Sequence, residues 1–118
     1  MTFCVQYVGD LDDPTFDAEG GDWNGNTPAR LSPEFPPLGT RGNAGFHDWV
    51  EASGVECIQT DFGAWVARVT KSQILEYITQ SYAGDEELPW VKGQLEPLKE
   101  LVLTLEDDHI YGLVATEY

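Results

Sequence analysis

The chain reads as a single α+β domain: a mainly antiparallel sheet of about five strands with two or three helices packed on one face. Three observations predict this. Short apolar runs of period two recur along the chain with turn residues between them. Two stretches in the middle carry apolar residues at helical spacing and have capping signals. The length of 118 residues suits one hydrophobic core and leaves little room for two. Strands in meandering pairs with interspersed helices, and no strict β-α-β alternation, point to an antiparallel sheet.

The elements follow in order. Residues 2–8 alternate, with Phe3, Val5 and Tyr7 on one side, which predicts a first strand with one wet face. Residues 9–42 hold five of the seven prolines and six of the twelve glycines, and no helical or strand period survives there. They read as one long acidic loop, anchored by Phe16, Trp23 and Phe35, of a length that usually signals function. Asn43 is a candidate cap for a helix over 44–53 that presents Phe46, Trp49 and Val50 inward and ends at Gly54. Residues 55–69 form a hairpin turning at Asp61-Phe62-Gly63, with Trp65, Ala67 and Val69 sharing a face. Cys4 and Cys57 fall inside strands, where Cys serves as a small hydrophobe.

Thr70-Lys71-Ser72-Gln73 is a capping box, and it opens a helix carrying Ile74, Leu75, Ile78 and Tyr82 that stops at Gly84. A third helix starts near Leu88-Pro89-Trp90 and is expected to end at Pro97. For 100–117 two patterns compete. Leu95, Leu98, Leu101, Val102 and Leu105 make a helical stripe, while Leu101, Leu103 and Leu105 also alternate. The Val, Thr, Ile and Tyr content favours a hairpin turning at Glu106-Asp107-Asp108.

Charge is the strongest functional signal. The chain carries 21 acidic and six basic residues, so fifteen carboxylates stay uncompensated even if every Lys and Arg is paired. This argues against binding nucleic acid or an anionic membrane, whose phosphates need cations. An aromatic content of 12%, including four Trp, argues against disorder. The amino terminus lacks a signal-peptide pattern, no apolar run approaches a membrane span, and two cysteines make no disulfide framework. The expectation is a soluble cytoplasmic protein with reduced thiols.

No catalytic signature is present. His47, His109, Cys4 and Cys57 have no metal-ligand spacing, and no Gly-x-Ser-x-Gly or P-loop occurs. Asp22-Trp23-Asn24-Gly25-Asn26 opens like a calcium loop, but Thr27 stands where Gly is needed and Pro33 where the bidentate Glu belongs. The expectation is therefore a non-enzyme with no cofactor and no metal. A small enzyme or a calcium-binding module, and a plain halophilic adaptation, are the alternatives.

What remains is acid interleaved with aromatics. Asp10, Asp12, Asp13, Asp17, Glu19 and Asp22 flank Phe16 and Trp23. Asp85, Glu86 and Glu87 adjoin Tyr82 and Trp90, and Glu106, Asp107 and Asp108 precede Tyr111. A net charge of magnitude about 2–8 already keeps a small domain in solution. The surplus at −15 points to a docking face for a basic protein, in which aromatics anchor and carboxylates steer.

In type, the chain resembles the small acidic immunity proteins of bacterial toxin systems, including those of contact-dependent growth inhibition. Its last segment, Tyr111-Gly112-Leu113-Val114-Ala115-Thr116-Glu117-Tyr118, is similar in flavour to strands that close several such families. The likeness is to the whole chain and transfers no residue by position. It implies an inhibitor that covers the active site of a basic toxin, an RNase or DNase above all, as the monomeric partner in a heterodimer. A phage-type nucleic-acid mimic that blocks a host defence protein is the neighbouring alternative.

Overall fold

The computed structural model describes residues 4–16, 27–36 and 43–117. Five strands form one antiparallel sheet: β1 (Cys4–Asp10), β2 (Ala29–Arg30), β3 (Cys57–Asp61), β4 (Ala64–Val69) and β5 (Tyr111–Glu117). Their spatial order is β2-β1-β5-β4-β3, so the last strand of the chain lies at the centre, between the first strand and the hairpin. Three helices complete the fold: α1 (Ala44–Ser53), α2 (Lys71–Ser81) and α3 (Pro89–Leu103). The expected α+β class is what the chain adopts.

All three helices cover one face of the sheet. Phe46 and Trp49 of α1, Ile74, Tyr77 and Ile78 of α2, and Val91, Leu95, Leu98 and Val102 of α3 pack with Val8, Ala67, Val69, Leu113 and Ala115 in the main core. The reason is visible locally. Thr70 and Gln73 close the capping box, the Gln73 N–H reaching Thr70 Oγ1 at 3.3 Å and the Thr70 N–H reaching Gln73 Oε1 at 2.9 Å. That fixes the first turn of α2 and hence the direction of its apolar stripe. At about 1.5–3 kcal/mol for each large apolar side chain buried, the helical face supplies most of the drive to fold.

The outer face is not wet. Tyr7, Val66 and Val114 form a second cluster with Phe16, supported by Val5, Leu11 and Ile58. The expected wet face of the first strand is thus corrected. Val5 and Tyr7 do share a side, but residues 11–16 lie over it, and the opposite side, with Gln6 and Val8, meets the helices. Gln6 is buried there because its polar ends are satisfied: Tyr77 Oη donates to Oε1 at 2.5 Å, and Nε2 donates to Asn43 Oδ1 at 2.9 Å. Asn43 precedes α1 but makes no side-chain cap. Its amide instead donates to the Thr116 carbonyl at 3.2 Å and to Glu117 Oε1 at 3.3 Å. A buried, fully bonded network outcompetes a cap available to any solvent-facing Asn.

The carboxy-terminal third corrects two expectations. Helix α3 passes through Pro97 and continues to Leu103, and no hairpin occupies 100–117. Pro97 sits on the exposed side, where its ring faces solvent, while Leu95, Leu98 and Val102 keep the buried stripe in phase. Three packed side chains outweigh one missing N–H. The competing alternation of Leu101, Leu103 and Leu105 is incidental. Helix α2 likewise closes at Ser81, three residues before Gly84, whose positive φ of 87° belongs to the turn that follows. Within the supposed structureless loop, β2 pairs Gly9 with Arg30 and Asp10 with Ala29. Beyond it the N–H groups of Leu31 and Phe35 bond the carbonyls of Val8 and Gln6, each at 2.8 Å, so this segment covers the free edge of β1.

Candidate acidic docking surface

The sheet register decides where the acidic segments go. Gly9 of β1 lies opposite Gly112 of β5, which places the turn after β1 beside the turn before β5. Two glycines side by side leave a slot on the outer face, and Pro28 and Leu11 fill it. A Cβ on Gly9 would stand 2.6 Å from Pro28 Cγ, and one on Gly112 would stand 3.1 Å from Leu11 Cδ2. The chain 10–13 is pinned across the sheet end by this contact. His109 completes the junction: its Nε2 lies 2.8 Å from Asp12 Oδ2, and its ring packs on Tyr111 at 4.7 Å between centroids.

Asp10, Asp12 and Asp13 therefore share one end of the molecule with Glu106, Asp107 and Asp108. Their carboxylates differ in what they do. Asp10 Oδ1 accepts the Asp12 N–H at 2.9 Å. Asp13 accepts the Thr15 N–H at 2.9 Å, the Thr15 hydroxyl, and the Ala29 N–H at 3.0 Å, so it ties the loop to β2. Those donors, the Thr15 N–H first, hold the Asp13 carboxyl below its usual range. Asp107 Oδ1 is 3.4 Å from Lys71 Nζ, which also donates to the Leu103 carbonyl at the end of α3 at 2.9 Å. At this end most of the acid is engaged within the protein.

Asp85, Glu86 and Glu87 lie elsewhere. Lys71 joins the start of α2 to the end of α3, so the turn between the two helices falls at the far end of α2, about 16 Å away along an eleven-residue helix. Asp85 and Glu87 are exposed and Glu86 is half-buried. None of the three has an ion-pair partner among the described residues. Beside them Trp90 is 52% exposed and Leu88 41% exposed. The sequence placed an aromatic next to acid in several segments, and here the aromatic faces solvent, whereas Phe16 and Tyr111 are buried. Asp17, Glu19, Asp22 and Trp23, together with the calcium-like Asp22–Asn26 run, lie outside the described residues.

Three residues take roles the sequence reading did not give them. His109 bridges two acidic segments, and the signal was its place as the one cationic-capable side chain directly after Glu106-Asp107-Asp108. Phe62, read only as a turn residue, is 85% exposed at the tip between β3 and β4. Arg30 lies 4.7 Å from the centre of the Tyr7 ring and 3.0 Å from Glu34. Tyr7, Arg30, Phe62 and Thr116 help line a groove of about 770 Å³ on the outer face. Arg30 lines that groove together with Asp61 and Glu117, so it holds two carboxylates to one guanidinium.

Among the described residues no group of three His, Cys, Asp or Glu side chains is placed to hold a metal ion, and no helix is long and apolar enough to cross a membrane. Neither Cys4 nor Cys57 is in a disulfide, and burial together with the nearby Glu117 carboxylate pushes the Cys4 thiol up. The chain matches no protein-family model, no curated protein and no solved structure.

Proposed function

We propose that the protein is an immunity-type inhibitor that binds a basic toxin, a nuclease above all, and covers its active site. The observation that carries this reading is the uncompensated charge of −15 on a folded domain that leaves a tryptophan exposed beside carboxylates with no ion-pair partner among the described residues. Such a surface meets a nuclease well. A groove that binds phosphates is lined by Lys and Arg, and carboxylates on a rigid scaffold occupy the places of those phosphates. Long-range attraction raises the encounter rate, and the exposed aromatic supplies the desolvated anchor that charge alone lacks. The complex is a heterodimer of one inhibitor with one toxin, it needs no cofactor, and it forms in the cytoplasm of the producing cell.

The test is to express the product of the neighbouring gene, assay it as a nuclease, and titrate the purified chain into it. Activity should fall in proportion to added protein and reach its floor at one equivalent. Full activity in the presence of a large excess would reject the reading.

A further inference from the structure

Two acidic ends on one small domain raise the question of which one docks the partner. We propose that docking occurs at the α2–α3 end, on the face of α3 that presents Leu88 and Trp90, and that its occupant is an arginine-bearing segment of a basic protein. This rests on the basic-partner reading above and specifies its site.

The apolar surface comes first. Val91, Leu95, Leu98 and Val102 mark the buried side of α3. At 100° per residue Gly93, Glu96, Pro97 and Glu100 fall on the opposite, solvent-facing side. Trp90 stands at one margin of that side, with Leu88 just before it, and both are open to solvent. A Cβ built on Gly93 meets nothing within 4 Å, so the ground beside the indole is unobstructed. Pro97 has no N–H, and the carbonyl of Gly93 lacks the donor an uninterrupted helix provides four residues on. It is an acceptor on the open face.

Charge complementarity then selects the occupant. Asp85, Glu86 and Glu87 border Leu88 and Trp90, and none is ion-paired among the described residues. The helix's own cations, Lys92 and Lys99, fall on the margin away from Trp90 by the same 100° spacing. An arginine suits this place better than a lysine, because its planar guanidinium stacks on an indole while its fork of donors reaches carboxylate and carbonyl oxygens. The other acidic end offers less. There Asp12 is held by His109, Asp107 by Lys71, and Asp10 and Asp13 by backbone N–H groups.

The experiment is an NMR titration of the ¹⁵N-labelled protein with an acetylated, amidated hexaarginine peptide at low salt. Saturable shifts should concentrate at residues 85–94 and at the Trp90 indole N–H. Trp90→Ala, checked for an unchanged fold by its amide spectrum, should weaken binding at least fivefold, and Glu86→Gln with Glu87→Gln at least threefold. Asp107→Asn with Asp108→Asn should leave it within twofold. Shifts centred on residues 10–13 and 106–110, with Trp90→Ala binding as the parent does, would overturn the site and leave the basic-partner reading standing. No saturable shift anywhere would count against that reading itself, and the site would fall with it.

Discussion

Asp13 shows how a carboxylate that reads as surface acid can be structural. It accepts bonds from Thr15 and Ala29 and so fixes residues 11–16 against β2. Its pKa is lower in the folded protein than the ordinary 3.8, so its contribution to stability is fully present above that value. It is lost as pH falls through the lower, folded value. Asp13→Ala should therefore lower Tm at neutral pH, and the deficit should close in strong acid, where the parent carboxyl is protonated too. Thermal melts of both proteins from pH 7 down to about pH 2 check this. An equal deficit at every pH would assign the effect to packing. The bonds from Thr15 are local, but the tie that makes Asp13 structural across the fold runs to Ala29, sixteen residues away, and the sequence does not show it. The same is true of His109, whose partner Asp12 is brought close only by the pairing of β1 with β5.

Elements with local causes were legible. The capping box of Thr70 and Gln73, the hairpin of β3 and β4, and the start of α3 at Pro89 are all written within a few neighbouring residues. Elements decided by distant packing were not. Pro97 argued for a helix end, and only the burial of Leu98 and Val102 against the sheet carries α3 past it. The two-residue β2 likewise has no period of its own and exists because β1 offers an edge. Two substitutions separate these cases. Thr70→Ala should cost about 1 kcal/mol by removing the cap, measured by urea denaturation. Pro97→Ala should raise stability, since it returns an N–H to an exposed helix interior without touching the buried stripe. A loss of stability in Pro97→Ala would mean that the proline's restriction of the unfolded chain outweighs its missing N–H.

At the scale of the whole molecule, the charge that is so evident in the composition becomes two surfaces with different occupations. One end ties its acids to His109, Lys71 and backbone donors, and at the other Asp85, Glu86 and Glu87 have no ion-pair partner among the described residues and stand beside Trp90. The composition shows an excess of acid, but it could not say which carboxylates are spent internally, because that follows from tertiary register. Uncompensated charge also repels itself, so Tm of the free protein should rise as NaCl is added. The most direct test of the proposed acid-driven inhibition is the association rate of this chain with the proposed nuclease partner, followed by stopped flow as salt is raised from about 50 to about 500 mM. Electrostatic steering predicts a fall of about tenfold or more, with a much smaller change in the dissociation rate. An association rate that is flat across the series would contradict the account, because the acidic surface would then have no part in finding the partner.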